Sequence, residues 1–498
     1  MSTFLIGLVI LIVGGYAYGK FIETRIVKPD DRITPAHMLN DGIDFVPMRT
    51  WRNALLNLIS IAGTGPIIGP IQGILFGPIA FILIPIGCVF AGATHDYLMG
   101  HLSLRNRGAQ MPQLVKKFTT LLTYRVYVVF TALLLFLVAA VFIYTPGDLF
   151  AIEILGMDAS PDSFWIWAIY GVILIYYTFA TLMPIHKVIG RIYPILGFVI
   201  VASAVGLVLM LGIGFLGGQY QLDNLNASNW RGIHPAGTPV IPIFFLTVAC
   251  GILSGFHSTQ NTMVARSVPH EKHARTTFFT MMITEGFLAM VWAAAAMAVM
   301  NSGLVPEGMG AIAVIGVIAN NFLGPLGIVV VFSIVLLAVT SGDTCLRALR
   351  LIVADNLKMD QAPWANRLKI ATPILLATLG LLIWAKTTPA GFTLLWRYLA
   401  WSNQTIGIFA LAIGTIYLIA KGQSKACVIT LIPGNFYTFV TMSYIFSSTI
   451  GFRLPLPAAY LIAALICVLY TLAIIKKGRQ LYRQKDFQPE AAPQYPAS

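Results

Sequence analysis

Thirteen apolar segments follow one another along this chain, and each is close to the length of a helix that crosses a bilayer. Lipid offers no partner to main-chain N–H and C=O groups, so a crossing segment must pair them internally, as an α-helix does. Only 10% of the 498 residues are charged, whereas soluble domains carry about 25%. The pattern predicts an all-α polytopic membrane protein with spans at about 4–19, 54–72, 79–100, 126–145, 164–183, 192–216, 241–262, 277–301, 325–342, 370–385, 392–419, 426–447 and 455–475.

The basic residues are distributed unevenly between alternate loops. If the N-terminus lies outside, the inside loops hold 28 of the 32 Lys and Arg residues. Cytoplasmic loops carry such an excess. We therefore expect a protein of the bacterial inner membrane with its N-terminus outside and its C-terminus in the cytoplasm. The net charge of +13 therefore needs no nucleic acid as a partner. The expected partners are the lipid bilayer and a small solute, and the sequence leaves the oligomeric state open.

Two of the predicted spans contain residues that interrupt a helix. Ser60–Pro70 reads SIAGTGPIIGP, and Cys250–Gln260 reads CGILSGFHSTQ. Glycine and proline weaken a helix, and the main-chain groups they free are tolerated in a membrane only where they face protein or a wet cavity. Four spans separate the two breaks, so the two segments enter from opposite sides, as in the inverted repeats of secondary transporters. The alternative is that these glycines only permit close helix packing.

The breaks also suggest how the chain is organised. A short apolar run at about 310–322 is too brief to cross a bilayer and is predicted to be a re-entrant or surface helix. The expected units are a first span with a cytoplasmic loop (1–53), repeat one (54–216), repeat two (241–419), two C-terminal spans (426–475) and a flexible cytoplasmic tail (476–498).

The interrupted helices predict a substrate site. Half-helix ends offer N–H groups to an anion, and unwound carbonyls can hold a cation, which suits a small carboxylate or a zwitterion. Two amides in the span 392–419 could line the same cavity, or could equally be interhelical hydrogen-bonding groups. The candidate substrate-binding residues are Gly63, Thr64, Gly65, Ser254, Gly255, His257, Gln260, Asn403 and Gln404.

Ionisable residues inside membrane segments are costly, so each is a functional candidate. Glu285 lies in the span 277–301 and suits a proton carrier. His95 and Asp96 could relay protons, because histidine titrates near neutral pH; alternatively Asp96 forms an interfacial ion pair with Arg105. Asp343 could pair with Arg347 one helical turn on.

Metal and enzyme chemistry find little support in the sequence. His37, His95 and His101 could be drawn as a metal cluster, but the six-residue gap between the last two places them on different helix faces. No nucleophile–base constellation and no ATP-binding glycine loop occurs. No metal, no other cofactor and no enzymatic activity are therefore expected.

Six stretches resemble the carbon starvation protein A family, in the same order over most of the chain. They are Thr34–Pro47 (TPAHMLNDGIDFVP), Ser60–Pro70, Gly92–Gly108 (GATHDYLMGHLSLRNRG), Cys250–Gln260, Val339–Arg350 (VTSGDTCLRALR) and Trp401–Gly407 (WSNQTIG). The resemblance implies transporters of peptides, some members being proton-coupled pyruvate importers, with a LeuT-like five-plus-five inverted repeat. It maps Asp343 and Arg347 onto a family Asp and Arg.

In LeuT-like transporters the hydroxyls that correspond to Thr340 and Ser341 face the first broken helix and help to hold sodium. The candidate coupling-ion residues are therefore Thr340, Ser341, Glu285, Asp343, His95 and Asp96. We expect a secondary active importer of peptides or small carboxylates such as pyruvate during carbon starvation, coupled to a proton in preference to sodium. The alternative is a membrane nutrient sensor, or a channel without coupled transport.

Overall fold

The computed structural model describes residues 1–42, 44–182, 186–306, 308–361 and 363–495, and side chains are not described over 183–194. The described chain is helical, with no strand. The helices are α1 (Ser2–Arg25), α2 (Thr50–Ala62), α3 (Gly65–Phe76), α4 (Ala80–Arg105), α5 (Leu121–Ile154), α6 (Phe164–Leu182), α7 (His186–Leu216), α8 (Gly255–Val264), α9 (Glu271–Asn301), α10 (Ala311–Leu323), α11 (Gly327–Leu357), α12 (Trp364–Thr387), α13 (Gly391–Ala420), α14 (Val428–Ser447) and α15 (Leu456–Arg483). Short helical turns lie at Pro35–Met38, Met111–Phe118, Val240–Phe244, Phe245–Thr247, Ala249–Ile252, Ala265–Ser267 and Gly324–Leu326.

Eleven segments of the described chain are long and apolar enough to cross a bilayer, α10 and α11 counting as one. They coincide with eleven of the thirteen predicted spans. The other two predicted spans are the interrupted ones: α2 and α3 bend by 51° at their junction, and short turns lead into α8. The all-α polytopic prediction is therefore confirmed.

The run predicted at 310–322 forms α10, which turns at Gly324 into α11. Thirteen residues make a helix of about 20 Å, short of the roughly 30 Å of a hydrocarbon core. It packs against α3, α7 and α9.

The first break follows from two residue types. Gly63 has φ +51° and ψ −147°, a left-handed conformation that only glycine adopts readily. Pro66 lies in the first turn of α3, where its missing N–H has no intrahelical partner to lose. At the second break Leu253 and Ser254 are extended, and α8 begins at Gly255.

A buried ion pair joins α5 and α12. Lys386 Nζ lies 2.8 Å from both carboxylate oxygens of Asp148. The ammonium also lies 4.5 Å from the centre of the Tyr144 ring, and the Tyr170 hydroxyl donates to Asp148. These contacts join α5, α6 and α12, while α5 packs along α11.

The tail after Lys476, expected to be flexible, makes specific contacts instead. Residues up to Arg483 continue α15. The Glu490 carboxylate lies 3.1 Å from Arg105, 2.7 Å from Lys421 and 3.3 Å from Arg32, and Ala491 N donates to Arg105 O at 2.9 Å. One carboxylate in this part of the tail therefore neutralises three basic groups.

Candidate functional site

Four titratable side chains from three helices meet in the protein interior. His95 Nδ1 lies 2.7 Å from Asp96 Oδ1, and His257 Nδ1 lies 3.1 Å from Asp96 Oδ2. His257 Nε2 lies 3.4 Å from Glu285 Oε2. All four side chains are 0% exposed. We call His95, Asp96, His257 and Glu285 the central cluster.

The central cluster is built around both broken helices. His257 is the third residue of α8, directly after the second break, and it also lies close to the main chain of Ile61 in the last turn of α2. Asp96 lies on α4, which comes after the first broken span (α2 and α3), and Glu285 lies on α9, which comes after α8. A change of charge in the cluster therefore acts on both breaks at once.

The geometry sets how many protons the cluster needs. Both ring nitrogens of His257 face carboxyl oxygens. A neutral imidazole has one N–H and one lone pair, so it can donate to only one carboxylate. Either His257 is an imidazolium, or one carboxyl group carries a proton. With neither proton present, two buried carboxylates face one neutral ring, which is strongly unfavourable away from water.

The structure overturns one of the alternatives drawn from the sequence. Asp96 does not pair with Arg105, nine residues along α4. The Arg105 guanidinium lies 2.6 Å from Glu271 and 3.1 Å from Glu490, whereas Asp96 contacts two histidines. His101, six residues after His95, lies 3.2 Å from Glu271 and so belongs with Arg105, Glu271 and Glu490.

Asn403 on α13 accepts hydrogen bonds from the residues of the second break. Its Oδ1 accepts from Ser254 Oγ at 3.1 Å and from Phe256 N at 2.9 Å. The amide thereby pairs one of the main-chain N–H groups that a helix start leaves free. Gln404 donates instead to Phe245 O, at the far end of the same interrupted segment. The two neighbouring amides therefore form hydrogen bonds with the second broken span at two positions along its length.

The two breaks lie against each other. A Cβ added to Gly65 would lie 2.3 Å from Cys250 Sγ. The main chain at Gly65 is therefore in contact with the Cys250 side chain. A cavity of about 20 Å³ lies between them, with Gly65, Cys250 and Asn403 in its wall. That volume holds about one water molecule, so the segments are closed on each other. Thr64 is fully buried, and its hydroxyl has no hydrogen-bond partner among the described residues.

Gln260 lies one turn after His257 on α8 and is buried, with Nε2 donating to Thr259 Oγ1 at 3.3 Å. Gly255 packs so closely on α13 that an added Cβ would lie 2.2 Å from Asn403 O. The close-packing alternative thus applies at Gly255, while the positive φ of Gly63 supports a true interruption.

The proposed cation residues on α11 are not part of the central cluster. Phe142 separates them from the first break, since it contacts both Gly63 and Gly342. Ser341 Oγ is buried with no hydrogen-bond partner within the described part of the chain, and Thr340 bonds to Leu337 O. Asp343 lies 3.7 Å from Arg347, one turn on.

Sequence reasoning missed four buried polar side chains on α2, α8 and α9. They are Asn53, Asn57, Asn261 and Thr277. The four-residue spacing of Asn261 from His257 was the available signal, because it places both on one helix face. Among the residues described, no group of three or more His, Cys, Asp and Glu side chains is placed to hold a metal ion.

Comparison with known sequences gives one family over most of the chain. The profile of the family described as carbon starvation protein CstA matches residues 1–157, 158–321 and 308–444. An uncharacterised membrane protein of Haemophilus influenzae is 37% identical over 59% of this chain and 89% of its own length.

Two relatives carry assigned activities. A peptide transporter CstA of Mycobacterium tuberculosis is 26% identical over 56% of this chain and 44% of its own length. The pyruvate/proton symporter BtsT of Escherichia coli is 24% identical over 59% of this chain and 49% of its own. The matches thus span about half the length of these two named transporters.

Solved structures match over nearly the whole fold. MhsT in complex with L-phenylalanine has a TM-score of 0.55 at 14% identity, covering 86% of this chain and 99% of that one. A manganese transporter of Eremococcus coleocola has a TM-score of 0.54 at 12% identity, covering 89% and 98%. These likenesses confirm the LeuT-like fold that the family resemblance implies.

Proposed function

This chain belongs to the carbon starvation protein CstA family, and from that premise we propose that it is a secondary active importer of peptides or small carboxylates such as pyruvate. Its named relatives and its solved structural neighbours are transporters, and the chain is not an enzyme. The proposed setting is the bacterial inner membrane during carbon starvation, with the N-terminus outside.

The central cluster is the single observation that carries the choice of coupling ion. Its groups bind and release protons, and His257 contacts a carboxylate through each ring nitrogen. Sodium would instead need several oxygen ligands around one point. Ser341 offers one such oxygen on α11, so sodium is the second candidate ion. We propose the proton because the titratable groups join both broken helices.

The mechanism follows from the proton count. With an extra proton on His257 or on one of the two carboxyl groups, the contacts of the central cluster between α4, α8 and α9 are attractive. Loss of that proton leaves Asp96 and Glu285 as two carboxylates around one neutral imidazole. Their repulsion favours separation of the helices and entry of water. Proton release to the cytoplasm would thus open the substrate site towards the same side.

The substrate site is proposed at the two breaks. The N-termini of α3 and α8 present N–H groups and positive dipole ends, which favour a carboxylate. Both helices have at least nine residues, so each has a full helix start. The cavity of about 20 Å³ must enlarge to admit even a three-carbon acid, which fits transport by alternating access.

The test is uptake into proteoliposomes under separate gradients. Labelled pyruvate and labelled dialanine would be supplied under an inward proton gradient, an inward sodium gradient or neither. The proposal expects saturable, concentrative uptake of one of them under the proton gradient alone. Concentrative uptake under the sodium gradient alone would indicate that sodium is the coupling ion and that its site is on α11. Non-saturable flux would indicate a channel, and no flux of either solute would contradict the proposed import.

A further inference from the structure

A set of uncharged polar side chains lies on the cytoplasmic side of the central cluster. Asn53 and Asn57 are on α2, Asn261 is on α8 and Thr277 is near the start of α9; all four are 0% exposed. We call these four residues the amide column. They lie near the helix ends that the positive-inside pattern assigns to the cytoplasm.

Helical spacing connects the amide column to the central cluster. Asn53 and Asn57 are one turn apart on α2, and the next turn brings Ile61, whose main chain lies beside His257. Asn261 is one turn after His257 on α8. Asn57 Nδ2 donates to Thr277 O at 2.8 Å, which joins α2 to α9 two turns before Glu285. The column therefore starts at the cluster and runs between α2, α8 and α9.

The polar atoms of the amide column lack partners. Both side-chain polar atoms of Asn53 and of Asn261, Oδ1 of Asn57 and Oγ1 of Thr277 have no hydrogen-bond partner in the described part of the chain. Buried polar atoms are nearly always paired, with protein or with ordered water. The neighbouring Thr262 follows that rule, bonding to Ser258 O at 3.0 Å. Water molecules are the expected partners of these six unpaired atoms, which lie on three helices that pack together.

We propose that the amide column holds a chain of water molecules that carries the coupling proton between the central cluster and the cytoplasm. This inference rests on the proposed proton-coupled function and names the proton's route. Amides both donate and accept hydrogen bonds, so they can orient water without binding the proton themselves. A proton leaving the His257 imidazolium bonds to a water oxygen, that water passes one of its own protons onward, and the last proton enters the cytoplasm.

The surrounding charges agree with a route that ends in the cytoplasm. The column's own side chains carry no titratable group, so nothing in it traps the proton. The charged side chains and histidines on the helices around it are Arg52 on α2, His95, Asp96, His101 and Arg105 on α4, His257 on α8, and Glu271, Lys272, His273, Arg275 and Glu285 on α9. His101 and Glu271 lie 3.2 Å apart and are nearer the cytoplasmic helix ends than the central cluster is. They mark the cytoplasmic end of the route.

The test compares net transport with exchange. Asn57→Leu and Asn261→Leu remove hydrogen-bonding atoms while keeping the branching and the number of side-chain heavy atoms, and Thr262→Val is the matched control on α8. Proteoliposomes would take up labelled pyruvate or labelled dialanine under a proton gradient, and would separately exchange internal for external solute at equal pH. We expect proton-driven uptake to fall tenfold or more in both Leu variants while exchange stays within twofold, because exchange needs no net proton movement.

Several outcomes would overturn the inference. Proton-driven uptake within twofold of wild type in both variants would exclude the column as the route. A parallel fall in exchange would place these residues on the substrate's path instead. If wild-type protein itself shows no proton-driven uptake, the proposed function fails, which is a separate result from the failure of the variants to change it.

A second measurement uses wild-type protein alone, so it does not depend on the variants folding. Hydroxyl radicals generated by X-rays from bound water modify adjacent side chains. Phe278, next to Thr277, and Trp292, farther along α9, are both buried. We expect labelling of Phe278 and little at Trp292, although tryptophan is the more reactive. No labelling at Phe278 would contradict a water-filled column.

Discussion

Asp96 Oδ2 lies 3.1 Å from Nδ1 of His257, although 161 residues separate them in the chain. The contact joins α4, which comes after the first broken span, to α8, which begins at the second break. Because Glu285 occupies the other side of the same ring and the main chain of Ile61 lies beside it, protonation at one point changes forces on four helices. This arrangement is the basis of the proposed coupling between a proton and the two interrupted helices.

The first prediction concerns Glu285. Glu285→Gln keeps the shape and removes the titrating group, so we expect loss of proton-driven accumulation by tenfold or more, with exchange retained. The measurement is labelled-solute accumulation against exchange in the same proteoliposomes. Glu153→Gln, at the other side of the protein, is the control and should change neither. Unchanged accumulation in Glu285→Gln would remove this carboxylate from the coupling mechanism.

Asn403 should stabilise the second break. Asn403→Leu leaves the Phe256 N–H and the Ser254 hydroxyl without their shared acceptor, which costs about 1–3 kcal/mol. We expect a lower thermal unfolding temperature in detergent and a higher KM for the transported solute. Thr405→Val, on the same helix, should alter both far less, since the Thr405 hydroxyl bonds only within its own helix. Equal behaviour of the two variants would argue against a support role.

Gly63 tests the interruption of the first span. An alanine there must adopt φ near +51°, at a cost of about 1–2 kcal/mol, and its Cβ would lie 2.6 Å from Phe142 Cζ. Gly63→Ala should therefore lower thermal stability and transport together. Gly380→Ala is the matched control, since nothing lies within 4 Å of a Cβ added there. A Gly63→Ala protein as stable and active as wild type would show that the helix break is not required.

The docked tail has a defined pH dependence. Burial alone would raise the pKa of Glu490, but hydrogen bonds from Lys421 and Tyr417 and the charge of Arg105 lower the pKa to about 2. A pKa below the unfolded value of about 4.3 contributes stability that is present above that value and lost as the pH falls towards 2.

Residues 487–494 should therefore stay protected from hydrogen exchange between pH 5 and 8 and lose protection in stronger acid. Glu490→Gln should remove much of that protection at neutral pH, because the tail then lacks the charge that holds three basic groups. Asp486→Asn, at an exposed neighbour, is the control. Full protection in Glu490→Gln would show that apolar contacts hold the tail.

Hydropathy predicted the helices well, because a bilayer leaves a chain few other ways to pair its main-chain groups. The first interruption was visible for the same reason, because Gly63 and Pro66 disfavour an unbroken helix. Spacing could not predict long-range pairing. Asp96 and Arg105 lie on one helix, and nothing local revealed that Glu271 pairs with Arg105 or that His257 faces Asp96.

Other parts of the site depended on packing that no pattern records. Lys386 and Asp148 looked like loop charges, yet they form a buried pair 238 residues apart in sequence. Asn53 and Asn57 looked like ordinary polar residues near the start of a span. Only the fold shows that α8 and α9 bury them beside the central cluster.

The most direct test of coupling at the central cluster is internal pH during uptake. Proteoliposomes with a trapped pH-sensitive dye would receive pyruvate or dialanine at equal starting pH and without a sodium gradient. The account predicts acidification of the interior by wild-type protein and none by Glu285→Gln. Solute entry by wild-type protein with no change of internal pH would contradict it.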